Sequence, residues 1–223
     1  MSLHYSVTRS ILSGLIGIST GWEVRGRSHV PMDGGLIVAS NHISYYDPPF
    51  VGTAAVRELH FLAKEELFRP PVFGSLIRAY NSIPIRRGAA DVRGLTAAME
   101  VLRAGHALIL FPEGTRSRDG ELQSAKPGVG MLAVNTGARI LPCYIHGSDR
   151  SPWEWFTRRT RLRVSFGPAR TWQELAGADA GLEPGRALYQ CVGDSVMREI
   201  AALKAALMKD GCIGRGNAVP ISR

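Results

Sequence analysis

The chain has 223 residues, 45% hydrophobic and 21% charged, and carries a formal net charge of +8. That length suits one well-buried domain, and the positive charge favours anionic partners: nucleic acid, phospholipid surfaces or polyphosphate cofactors. Cys143, Cys191 and Cys212 are widely spaced, and neither Cys-x-x-Cys nor His-Glu-x-x-His occurs. This argues against a disulfide framework, structural zinc and a metal-hydrolase helix, and fits a reducing compartment.

In chain order, Ser10 to Trp22 is uncharged and strongly apolar from Ile11 to Ile18. The run is short of the ~20 residues of a spanning helix and lacks the start and cleavage site of a signal peptide. A helix in the membrane interface and a helix packed on the protein's own core both fit it. Strands are predicted at Leu36–Ala39, Leu59–Ala63, Ile83–Ile85, Ala107–Phe111, Arg139–Ile145 and Arg161–Phe166. Pro84 predicts a strand edge or end, and the alternation of the last strand predicts half-exposure. Helices are predicted at Pro48–Val56, at Asp91–Ala104 with Asp91 as cap, at Pro127–Thr136, and at Arg186–Met208. Strands alternating with helices predict a single α/β domain with a mixed, largely parallel sheet flanked by helices. The expected division is an N-terminal apolar, membrane-associating segment (1–22), one domain (23–208) and a loose tail (209–223).

The first informative segment is Asn41-His42-Ile43-Ser44-Tyr45-Tyr46-Asp47. Residues five apart on an ideal helix lie roughly 140° apart, so His42 and Asp47 can cooperate only in a loop or at a helix start. A strand ends near Ser40 and Pro48 opens a helix, which supplies that setting. Asp47, before proline, is expected to be an N-cap residue. The segment lies at the carboxyl end of a strand, where α/β sheets usually bind ligands. Histidine suits proton abstraction near neutral pH, and a carboxylate can orient it. A hydrogen-bonding loop histidine beside an ordinary helix cap fits the same residues.

The second segment, Phe111-Pro112-Glu113-Gly114-Thr115-Arg116-Ser117, follows the clearest strand. Gly114 permits close backbone approach to a ligand. Thr115 and Ser117 offer hydroxyls, and Arg116 offers bidentate phosphate recognition. Glu113 suits a substrate hydroxyl or the orientation of Arg116. A polar surface turn is the competing reading.

The two segments together, in this order, resemble the glycerolipid acyltransferases, and more narrowly the 1-acylglycerol-3-phosphate acyltransferase family. Asn81 to Arg87 and Ile140 to Ile145 resemble two further blocks of that family. Ala63 to Phe68 and Pro71 to Gly74 match the stretch between the first two. The likeness spans roughly Val24 to Phe166. It implies acyl transfer from acyl-CoA or acyl-carrier protein to the free hydroxyl of a lysophospholipid, with no acyl-enzyme and no cofactor. His42 and Asp47 would be catalytic. Lys64, Arg87, Glu113, Gly114, Thr115 and Arg116 would bind substrate, and no metal is implied. Asn81 and Arg86 stand where many members carry glycine and an acidic residue, which leaves the acceptor's identity open. The oxyanion-stabilising group is not identified.

Lipid substrates imply a peripheral or monotopic protein on the cytoplasmic side of an anionic membrane, with no nucleic-acid partner. Ser10–Trp22 is one candidate contact. Trp153, Trp155 and Phe156, beside Arg158, Arg159, Arg161 and Arg163, form another. Tryptophans in the core and arginines along a solvated strand edge fit those residues equally. Other acceptors, phospholipid binding without turnover, and thioester hydrolysis are the competing functions.

Overall fold

The computed structural model describes residues 3–86, 91–157 and 161–213. The helices are α1 (Leu3–Thr20), α2 (Asp47–Ala54), α3 (Pro71–Ala79), α4 (Val92–Arg103), α5 (Gly128–Thr136), α6 (Pro152–Phe156), α7 (Trp172–Ala176) and α8 (Arg186–Ile213). The strands are β1 (Glu23–Arg25), β2 (Leu36–Ser40), β3 (Leu59–Lys64), β4 (Ser82–Ile85), β5 (Ala107–Leu110), β6 (Arg139–His146) and β7 (Arg163–Phe166). They form one seven-stranded sheet in the order β1-β7-β6-β2-β5-β3-β4. Every pairing is parallel except β6 with β7. The fold is therefore the α/β domain, largely parallel, that the alternating pattern predicts.

β2 explains the layering. It is buried at all five positions, and its side chains alternate between two cores. Ile37 and Ala39 join Leu108, Leu132, Ile140, Val192 and Ile200 on the face covered by α4, α5, α7 and α8. Leu36 and Val38 join Phe50, Val51, Ile109, Leu141 and Trp155 on the face covered by α1, α2 and α6. Helices on both faces leave the strand ends as the accessible part of the sheet.

Several expectations change. β7 is not half-exposed: Val164 and Phe166 join the core under α1, α2 and α6, and Ser165, which points to the opposite face, is buried where α8 contacts the strand. β4 is an edge strand, which accommodates Pro84. β1, α3, α6 and α7 are additions, each too short or too mixed in polarity for a periodicity reading. α8 continues to Ile213, so helix covers the first part of the stretch expected to be loose; residues 214–223 lie outside the described residues. At the N-terminus, α1 has both buried and exposed apolar side chains. Tyr5 and Ile16 are buried against the domain, while Val7, Ile11, Leu15 and Ile18 stay exposed.

Arg57 holds the approach to β2. It is 8% exposed, and its guanidinium donates to the carbonyls of Pro31 at 2.9 Å, Asp33 at 3.1 Å, Gly34 at 2.6 Å and also Gly105. Burial lowers its pKa from the ordinary arginine value.

Candidate active site

The sheet order decides what meets at the end of β2. Its neighbours are β5 on one side and β6 on the other. The loops leaving all three strands at their carboxyl ends surround residues 41–47.

Asn41 ties the first loop to β6. Its side-chain amide donates to the Ile145 carbonyl at 3.0 Å, and its carbonyl oxygen accepts the Ile145 N–H at 2.8 Å. His42 follows, 7% exposed, with its ring stacked on Phe111 at a centroid distance of 4.0 Å. Its Nδ1 lies 2.8 Å from Asp47 Oδ2. With Nδ1–H donating to the carboxylate, Nε2 keeps its lone pair for a proton. The structure thus brings the two predicted catalytic residues together where the loop meets α2.

Asp47 is not the N-cap of α2. It is the first helical residue, and its carboxylate turns back into the loop. The reason is local chemistry: Pro48 and Pro49 have no N–H to cap, and the Phe50 N–H already donates to the Tyr46 carbonyl at 3.1 Å. Asp47 Oδ2 instead accepts the N–H groups of Ile43 at 2.7 Å and Ser44 at 2.8 Å. Its Oδ1 accepts the Ser148 hydroxyl. Asp47 is fully buried, so these donors replace the water that a carboxylate requires.

The loop after β5 closes over His42. The Ser117 N–H donates to the His42 carbonyl at 2.7 Å. Glu113, 2% exposed, accepts the His42 N–H at 3.1 Å through Oε1 and the Gln123 N–H at 3.3 Å through Oε2. It therefore joins backbone to backbone. Burial pushes its pKa above the ordinary carboxyl value; the two amides oppose that rise, and nearby Asp47 adds to it. Gly114 has φ +72°, and a Cβ there would come within 2.8 Å of the Lys126 side chain. Any side chain would be strained at that position and crowd Lys126.

Thr115 is exposed and donates to Gln123 Oε1 at 3.4 Å. The Arg116 guanidinium carbon lies 3.5 Å from the centroid of the Tyr45 ring. Ile43, Thr115, Arg116, Ser117, Arg118 and Asp149 line an open cleft of about 860 Å³. The cleft carries two arginines and two hydroxyls as well as the carboxylates of Asp119 and Asp149; next to a carboxylate-held imidazole, its arginines can seat an anionic group whose neighbouring hydroxyl gives up a proton.

Lys64 ends β3, which β5 separates from β2, and its ammonium pairs with Glu66 at 3.1 Å. Arg87 lies outside the described residues, as do Arg158 and Arg159. Its neighbour Arg86 pairs with Glu65 at 2.7 Å. Ser148, Tyr45 and Gln123 join the site without having been singled out from the sequence. Ser148 had one available signal, its position just after a strand. Among the described residues, no group of three or more His, Cys, Asp or Glu is arranged to hold a metal ion.

The chain is similar to the chloroplastic 1-acyl-sn-glycerol-3-phosphate acyltransferase LPAT1 of Arabidopsis thaliana, 30% identical over 131 residues, covering 57% of this chain and 36% of that one. It is 34% identical over 125 residues to the lyso-ornithine lipid O-acyltransferase of Pseudomonas aeruginosa, covering 56% of this chain and 47% of that one. The chain thus spans less than two thirds of the length of these relatives. The crystal structure of the 1-acyl-sn-glycerophosphate acyltransferase PlsC from Thermotoga maritima has the same fold, with a TM-score of 0.63 and 29% identity over 92% of this chain and 84% of that one. The acyltransferase family model matches residues 21–146, more than half of the chain, and the protein belongs to that family.

Proposed function

We propose that the protein transfers a fatty acyl group from acyl-CoA or acyl-carrier protein to the free hydroxyl of 1-acylglycerol-3-phosphate, giving phosphatidic acid. The observation that carries this reading is the His42–Asp47 pair at 2.8 Å beside the Thr115–Ser117 cleft. His42 Nε2 takes the hydroxyl proton as the oxygen attacks the thioester carbonyl. The C–S bond then breaks, the ester forms, and the leaving thiolate takes the proton from the imidazolium. Asp47 orients the ring and stabilises its charge. No acyl-enzyme forms. Arg116, Thr115 and Gly114 bind the acceptor phosphate, with Arg87 and Lys64 completing the anion site. Glu113 contributes by holding the His42 loop.

The acceptor and product both partition into bilayers, so the enzyme works as a peripheral protein on the cytoplasmic leaflet. Among the described residues no helix is long and apolar enough to cross a membrane. Support for surface contact comes from α1, whose exposed Val7, Ile11, Leu15 and Ile18 recur at helical spacing. On α6, which contacts α1, Trp153 and Phe156 are exposed, whereas Trp155 is core. On α3, Val72, Phe73 and Leu76 are exposed, and Tyr80 just beyond that helix donates to Thr8 of α1 at 2.9 Å. Exposed apolar side chains on these three helices suit a lipid interface.

The test is thiol release from acyl-CoA with and without lysophosphatidate. Acceptor-dependent release that vanishes in His42→Ala, with the far-ultraviolet circular dichroism unchanged, is the expected result. Acceptor-independent release would make the protein a hydrolase, and normal turnover in His42→Ala would remove the mechanism. A second reading, a different lyso-lipid acceptor, is favoured by the Pseudomonas relative. A panel of lyso-lipids under the same assay separates the two.

A further inference from the structure

The carboxylate of Asp47 is held from two sides, and the second side belongs to a distant part of the chain. Oδ2 takes its three donors from residues 42–44, all within the loop that Asp47 itself ends. Oδ1 accepts the hydroxyl of Ser148, 101 positions away. Both residues are fully buried. The final torsion of an aspartate side chain is broad and weakly restricted by itself. Donors on one oxygen leave the carboxylate plane free to rock about the Cβ–Cγ bond. An anchor on the other oxygen stops that motion and sets the plane in which Oδ2 meets the imidazole.

Ser148 is in turn held firmly. β6 ends at His146, and Gly147, with φ +83°, turns the backbone so that Ser148 faces α2. The Gly147 carbonyl accepts the Trp155 indole N–H at 2.7 Å. The Trp155 ring packs edge-on against Tyr46 and Phe50, each at 5.4 Å, on either side of Asp47 in sequence. On the other side, the paired Asn41–Ile145 hydrogen bonds clamp the end of β6 to the His42 loop. The hydroxyl therefore occupies a position set by several independent contacts, as support for a catalytic pair requires.

We propose that Ser148 is a positioning residue: its hydroxyl fixes the carboxylate plane of Asp47 and, through it, the imidazole of His42. The kinetic arm of the test rests on the acyltransferase reading; a spectroscopic arm does not. Ser148→Ala is expected to lower kcat about tenfold while leaving KM for donor and acceptor unchanged, since it removes one charge-assisted hydrogen bond away from either substrate. Ser148→Thr, which keeps the hydroxyl, restores most of the rate. In an Asp47→Ala background, Ser148→Ala has no further effect, because the group it positions is gone. Proton NMR of the 223-residue chain reads the same relationship without turnover. The downfield imidazole N–H resonance, assigned by its loss in His42→Ala, shifts or broadens in Ser148→Ala and recovers in Ser148→Thr. Wild-type kcat with an unchanged resonance in Ser148→Ala would overturn the proposal, as would an equal rate loss in the Asp47→Ala background. If the wild type acylates no lyso-lipid, the functional reading fails and the resonance alone decides the role of Ser148.

Discussion

Glu113 accepts the backbone N–H of His42 at 3.1 Å, so a buried carboxylate joins the loop after β5 to the loop after β2. Burial raises its pKa above the ordinary value of 4.5, which means the folded state binds its proton more tightly than the unfolded state. Stability from this group is complete below that value and falls as pH rises through the raised folded value. Thermal midpoints measured between pH 4 and pH 7 should therefore fall with pH more steeply, or rise less, for the wild type than for Glu113→Gln. The difference between the two curves isolates Glu113 from the other carboxylates. Parallel curves would show that the latch is not coupled to ionisation.

Arg116 rests on Tyr45, with its guanidinium 3.5 Å from the ring centroid. Arg116→Ala should raise the acceptor KM about 10–100-fold with little change in kcat, because the lost contact binds the head group rather than the reacting atoms. Tyr45→Ala should raise the same KM about two- to fivefold, the scale of an exposed cation–π contact, and Tyr45→Phe should restore it. Initial-rate kinetics with varied acceptor at saturating donor would check both. A fall in kcat alone would place these residues elsewhere in the reaction.

The exposed stripe of α1 predicts membrane binding that can be separated from folding. Replacing Ile11, Leu15 and Ile18 together with serine should weaken flotation with anionic vesicles at least about tenfold, since each removes apolar area from the lipid contact. The thermal midpoint should barely move, because these side chains are solvent-facing. Unchanged flotation would exclude α1 as the contact.

Arg57 predicts a stability defect far from the site. Arg57→Ala leaves four backbone carbonyls without their shared donor and should cost about 2–4 kcal/mol in urea unfolding. Arg57→Lys should recover only part, because an ammonium cannot reproduce the fork of the guanidinium. A loss below about 0.5 kcal/mol would mean that water replaces the side chain without cost.

The elements legible in the sequence share one property: their cause is local. Ala107 to Leu110 is a strand because it is apolar and follows Gly105. Asp91 caps α4 because its side chain accepts the Gly94 N–H only three residues on. Burial that depends on neighbours is not legible in the same way. β7 alternates in sequence as a half-exposed strand would, yet it is covered on both faces. Trp155 matches the interfacial pattern of Trp153, yet its indole reaches the Gly147 carbonyl and it is buried.

The site divides in the same way. From sequence alone, His42 and Asp47 belong to a loop at the end of a strand, because helix geometry forbids them a common face and prolines follow at once. The tertiary structure alone decides what surrounds that pair. β2 lies between β5 and β6, so Glu113 arrives from one side, 71 residues away, and Ser148 from the other, 101 residues away. No local pattern carries that information, because strand order is set by the packing of two helical layers on the whole sheet. Asp47 shows both levels: residue preference marks it as a helix cap, its own loop supplies three donors to Oδ2, and the sheet brings Ser148 to Oδ1.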